Sequence, residues 1–73
     1  MKAFKVSGYS TPELTITAAN KREAVHAAAA QIFEVQEGET VLTSDLGGRG
    51  FDVRVQINPA QSRVSRVLYA DQV

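Results

Sequence analysis

Residues 14 to 33 constrain the fold more than any other stretch. Leu14-Thr15-Ile16-Thr17-Ala18 alternates with the period of a strand, and Asn20-Lys21-Arg22-Glu23 then opens an alanine-rich run. Leu14, Ile16 and Ala18 share one strand face, and Thr15 and Thr17 share the other. Asn20 is a favoured N-cap, and Glu23 stands three residues later, where its side chain can return to the Asn20 backbone amide. At 100° per residue Ala24, Val25, Ala28, Ala29 and Ile32 fall on one side of the helix, with Arg22, Glu23, His26 and Ala30 towards the other. Small side chains at Ala24 and Ala28 let such a helix lie close on a sheet. Anchoring then falls to Val25 and Ile32, at about 1.5 to 3 kcal/mol each on full burial. Phe33 lies off the stripe: it either turns inward where the helix ends or stands exposed as a contact residue. A strand running directly into a capped helix predicts a helix layered on a sheet.

The rest of the chain reads mostly as strands. Residues 2 to 9 place Phe4 and Val6 on one face and Lys5 and Ser7 on the other, and Ser10-Thr11-Pro12 turns the chain back. Residues 41 to 46 alternate, with Leu42 and Leu46 expected to face inward. Gly47-Gly48-Arg49-Gly50 is a hairpin loop. Phe51 to Ile57 is the cleanest strand, with Phe51, Val53, Val55 and Ile57 expected inside and Asp52, Arg54 and Gln56 outside. The C-terminal element is ambiguous. Asn58-Pro59 reads as an N-cap with proline at the first helical position, and Ala60, Val64, Val67 and Leu68 recur at helical spacing, which favours a helix. Val64, Val67, Leu68 and Tyr69 are also strand formers, so a fifth strand remains open. The expected fold is therefore a single α+β domain over residues 1–73. It has a four-stranded antiparallel sheet with one helix packed on one face (β-β-α-β-β), plus a C-terminal helix or fifth strand.

At 73 residues such a domain buries only about 60% of the surface its unfolded chain exposes. It contains no cysteine and one histidine, so disulfide and metal staples are both out of reach. Docking on a partner or on a second copy is the remaining way to gain stability, and the expected state is a monomer or a homodimer. No apolar run approaches the roughly 18 residues of a membrane span, and the N-terminus reads as a strand, not a signal peptide. A soluble, cytoplasmic protein is expected.

Eight basic and eight acidic residues cancel, which argues against both a wholesale nucleic-acid binder and an acidic DNA mimic. The charges are nonetheless segregated along the chain. Glu34, Glu37, Glu39 and Asp45 fall in a stretch without a base, whereas Lys5, Arg49 and Arg54 belong to mildly basic flanks. These seven are the candidate partner-binding residues. Catalytic candidates are poor. His26 lies mid-helix on the expected solvent side, there is no G-x-S-x-G turn, and Glu37 and Glu39 flanking a glycine are ordinarily just solvated. Neither a cofactor nor a metal is expected. The Gly47-Gly48-Arg49-Gly50 loop could face an anion, but no helix N-terminus follows it, so the glycines more simply serve the turn. An uncovered sheet face lined by Lys5, Ser7, Thr15, Thr17, Thr43, Arg54 and Gln56, with Tyr9 and Val41 beside it, is the other candidate surface.

The passage Thr15-Ile16-Thr17-Ala18-Ala19-Asn20-Lys21-Arg22-Glu23-Ala24, set between two pairs of strands, resembles a class of very small proteins from bacteriophages and mobile elements. Some members of that class are anti-CRISPR proteins, which block a host's RNA-guided complex by adhering to it. The resemblance spans roughly residues 1 to 57. It implies a non-enzymatic protein that inhibits a bacterial host complex by surface contact, most specifically one blocking DNA binding by a CRISPR effector, in the host cytoplasm. Contact would run through the acidic stretch from Glu34 to Asp45, or through Lys5, Arg49 and Arg54. The alternative is a small nucleic-acid-associated or regulatory module using Lys5, Arg49, Arg54, Arg63 and Arg66.

Overall fold

A computed structural model describes all of residues 1–73. Its elements are β1 (Lys2–Gly8), β2 (Leu14–Ala18), α1 (Lys21–Ile32), β3 (Thr40–Asp45), β4 (Gly50–Asn58) and β5 (Gln61–Gln72). The strands form one antiparallel sheet in the order β2-β1-β5-β4-β3, and α1 packs on one face. The α+β class and the single helix on an antiparallel sheet agree with the sequence reading.

The C-terminal element is a strand, and the helix that its spacing favoured does not form. Asn58 Oδ1 accepts from the Ala60 amide at 2.9 Å, so Asn58-Pro59-Ala60 makes a tight turn into β5. An asparagine oxygen taking an amide two residues on serves a turn as readily as a helix start, and that shared chemistry makes the local sequence ambiguous. The tie is broken at long range. β5 lies in the middle of the sheet, bonded to β1 on one side and β4 on the other, a place only an extended chain can fill.

The strand-to-helix passage forms as read. Asn20 Oδ1 accepts from the Glu23 amide at 2.9 Å. The helix ends at Phe33, with Glu34 in the left-handed region at φ 49° and the Val35 amide returning to the Ala30 carbonyl, the pattern of a Schellman motif. Phe33 is thereby turned inward against the core rather than presented to solvent. Ala24, Val25, Ala28 and Ala29 are fully buried, and they meet Phe4, Val6, Ala18, Phe51, Val53, Leu68 and Ala70 from the sheet. Ile32 is only partly buried, so Val25 is the main apolar anchor.

Two strand readings are corrected. In β3 the inward residues are Val41 and Thr43, while Leu42 is on the uncovered face and 43% exposed. The partner strand decides this: Val41 and Thr43 lie directly opposite the buried Val55 and Val53, and residues opposed across an antiparallel pair share a face. In β4 the outer end is reversed, with Gln56 buried and Ile57 64% exposed. Pairing with β5 shifts register between Val55 and Gln56 and again between Gln56 and Asn58, which makes Arg63 and then Ile57 the unpaired extra residue. Alternation cannot be carried through such bulges.

Candidate functional site

The uncovered face of the sheet is assembled from residues far apart in sequence. Lys5 sits between Thr15 on β2 and Asp71 on β5; Ser7 lies opposite Tyr69, which lies opposite Gly50; Val67 lies opposite Asp52; and Ser65 lies opposite Arg54, beside Leu42. Gly50 has no side chain, and the Tyr69 ring fills that space, 3.5 Å from where a Cβ would stand. On its other side Tyr69 meets Arg49, whose guanidinium carbon is 5.1 Å from the ring centroid. Arg49 is held there by Asp71, with Nε donating to Oδ1 at 2.9 Å and Nη2 to Oδ2. Hydrogen bonding to Arg49 holds the Asp71 carboxyl below its ordinary range.

Of the seven candidate residues, the three bases come together on this face, and two of them are already paired. Arg49 pairs with Asp71, and Arg54 reaches Asp52 at 3.2 Å. Lys5 forms no ion pair, although Asp71 lies opposite it. The four acids do not gather. Glu34 and Glu37 are exposed in the connection after α1. Asp45 closes the far end of β3, about 20 Å from Glu39 at some 3.3 Å per strand residue. There its carboxylate accepts from the Gly47 amide at 2.7 Å. The glycine loop is thus organised around its own acid, with Gly47 and Gly48 at φ 88° and 59°.

Glu39 is a structural residue. Its side chain is 7% exposed; it accepts from Arg63 Nε at 2.7 Å and Nη2 at 2.8 Å, and from the Gln36 amide at 2.8 Å. Arg63 Nη2 also donates to the Phe33 carbonyl at 2.9 Å, so the bulged residue of β5 pins the helix end and the following connection. Hydrogen bonding to Arg63, and then to the Gln36 amide, lowers the Glu39 pKa. A folded pKa below the unfolded value adds stability that is complete above the unfolded value and lost as pH falls through the folded one. Conformational stability should therefore be flat above about pH 5 and fall below about pH 4, as Glu39 and Asp71 protonate. Denaturant midpoints measured across pH 2 to 7 (~ two units either side of the carboxylate range) check this, and Glu39→Gln should flatten the acid limb. An unchanged acid limb in that variant would assign the loss elsewhere.

Sequence reading missed a cleft of about 390 Å³ on the same face, lined by Tyr9, Ser10, Arg66, Val67 and Tyr69. Tyr9 is 89% exposed and Tyr69 38% exposed, and no carboxylate lines the cleft. Arg66 forms no ion pair; its Nη1 donates to the Tyr9 carbonyl at 3.3 Å. Ser10, at its rim, holds φ 56° in the tight turn after β1. The alternation Val67-Leu68-Tyr69 carries the signal for this cleft, but it becomes visible only once β5 is known to be a strand.

A second cleft, at the helix N-terminus, is lined by Asn20, Lys21, Arg22, Asp45 and Phe51. His26 is exposed on α1, and no three His, Asp or Glu side chains converge as metal ligands would. No helix is long and apolar enough to cross a membrane. Comparison with protein-family models, with curated proteins and with solved structures finds no match to this chain.

Proposed function

We propose that this chain is a non-enzymatic binding protein that acts by surface contact, and that the contact surface is the uncovered face of the sheet. The observation that carries the reading is the exposure of Leu42, Val67 and Tyr69, at 43%, 39% and 38%, among Lys5, Arg49 and Arg54. Aromatic and aliphatic side chains flanked by arginine are the composition of an interface centre. The resemblance to small phage and mobile-element proteins supplies the most specific version, inhibition of a bacterial host's CRISPR effector complex. On that version the acidic connection is secondary, because Glu39 is spent on Arg63 and Asp45 lies at the other end of β3.

The test compares two variants for retention of effector complexes and for CRISPR interference in cells. Tyr69→Ser with Arg54→Glu should abolish both capture and inhibition. Glu34→Lys with Glu37→Lys should leave them intact. Failure of the unaltered protein to retain any effector, together with unimpaired interference, would remove the anti-CRISPR version.

A second reading rests on the cleft itself. Two tyrosines beside Arg66, with no acid, fit a stacked base and its phosphate. If the ligand is single-stranded nucleic acid, short oligonucleotides should bind at low salt, lose affinity steeply as salt rises, and release on Tyr69→Ser. Absence of binding at low salt would sink this reading.

A further inference from the structure

The sheet has three stretches of unpaired backbone, and two of them are guarded. The phase of the hydrogen bonds fixes which residues turn outward. The Leu46 amide donates to the Gly50 carbonyl, so Thr40, Leu42 and Ser44 bond β4, while Val41, Thr43 and Asp45 face the outer edge of β3. There the Arg22 side chain, coming from α1, donates to the Thr43 carbonyl. The part of β5 that runs beyond β1, residues 61 to 67, carries the Arg63 bulge, and Arg66 is turned to the Tyr9 carbonyl.

The third stretch, the outer edge of β2, has no such guard. The Val73 amide donates to the Ala3 carbonyl at 2.9 Å, so Ala3, Lys5 and Ser7 bond β5, while Lys2, Phe4 and Val6 bond Ala18, Ile16 and Leu14 of β2. Thr15 and Thr17 therefore direct their amides and carbonyls outward. Between Leu14 and Ala18 there is no proline, no lysine and no bulge, the devices that normally keep an edge from pairing.

We propose that β2 is the interface for a second copy of this chain, joined antiparallel about a two-fold axis at Ile16. The edge is self-complementary in one register. Thr15 of each copy faces Thr17 of the other, and both carry outward donor and acceptor groups, so the two pairs exchange four main-chain hydrogen bonds. In that register the half-buried Ile16 meets its own counterpart on the helix side, Leu14 meets Ala18, and the threonine side chains pair across the strands on the other face. Acidic Glu13 falls opposite Ala19, alongside the Asn20-Lys21 turn of the second copy, and the two-fold repeats this opposite-charge approach. Each strand offers what the other lacks, which a strand of unrelated sequence does only by its backbone. The product is one ten-stranded sheet (five from each copy) whose two uncovered faces, each with its Tyr69 and Arg54, lie side by side. A partner with two matching sites would then be held with the gain that linked binding brings.

The full chain is tested by sedimentation equilibrium over a concentration series and by amide hydrogen exchange. The expected result is a species of twice the 7.9 kDa chain mass, with the Thr15 and Thr17 amides protected. Thr17→Pro deletes a donor that bonds nothing within the monomer. It should leave the circular dichroism spectrum unchanged and weaken self-association by about tenfold or more, since it removes two of the four interchain bonds. Should that variant misfold, Thr15→Lys with Thr17→Lys charges the same edge and should give the same weakening. A mass of one chain at every concentration, or rapid exchange at Thr15 and Thr17, would overturn the proposal, as would a dimer that survives both edge variants. The outcome is independent of the sheet-face reading, since a monomer could still use that face and a dimer could still fail to bind.

Discussion

Leu68→Ala is expected to unfold a large fraction of the molecules at 25 °C. Leu68 is fully buried in the central strand, opposite Gly8 of β1 and Phe51 of β4. Truncating a buried leucine costs about 2 to 5 kcal/mol, and a domain of this size has only about 3 to 5 kcal/mol to lose. The site cannot collapse readily, because it is walled by backbone: a Cβ on Gly8 would stand 2.7 Å from Leu68 Cδ2 and 3.2 Å from the Val67 carbonyl oxygen. The measurement is far-UV circular dichroism through a urea titration, with Leu46→Ala as the control. Leu46 is 58% exposed, and its loss should stay within about 0.5 kcal/mol. A Leu68→Ala protein that unfolds cooperatively with less than about 1 kcal/mol lost would show that the core does not centre on β5.

The next largest effect is expected for Ala28→Leu, which should destabilise by about 1 to 3 kcal/mol although it leaves helix propensity almost unchanged. Ala24, Ala28 and Ala29 are fully buried, and the helix lies on the sheet through them. Three added carbons at Ala28 must push α1 away from the sheet or force neighbouring side chains off their rotamers. Ala30→Leu, on the exposed side of the same helix, carries the same propensity change and should be near neutral. Comparing the two urea midpoints separates packing from propensity, and equal midpoints would mean that close approach of the helix is not what the alanines provide.

The elements legible in the sequence are those whose signals are local. The Asn20 cap, the alanine stripe of α1, the alternation of β1 and β2, and the glycine turn at residues 47 and 48 each depend on a few neighbouring residues. The misread residues are those whose environment is set by another strand. Thr43 looks like a surface residue, yet it faces the core because Val53 lies opposite it; its hydroxyl is buried without a partner. Ile57 looks like a core residue, yet two register shifts carry it outward. The candidate contacts divide the same way. Lys5, Arg49 and Arg54 were legible as a basic group, but the cleft of Tyr9, Arg66, Val67 and Tyr69 needs the ends of β1 and β5 to lie side by side. The acidic stretch is continuous in sequence and discontinuous in space, because a six-residue strand carries Asp45 away from Glu39 and Arg63 takes Glu39 for the fold.

By itself the sequence determined an α+β domain with one capped, alanine-faced helix after two strands, because propensity, capping and hydrophobic period act over a few residues and need no partner. Only the tertiary structure decided that residues 61 to 72 are the middle strand, which way β3 faces, and that Tyr69, Arg49 and Asp71 stand together. Those choices turn on backbone hydrogen bonds and shared faces between distant strands. Such pairings follow from register, and register is settled only when the whole sheet closes around one core.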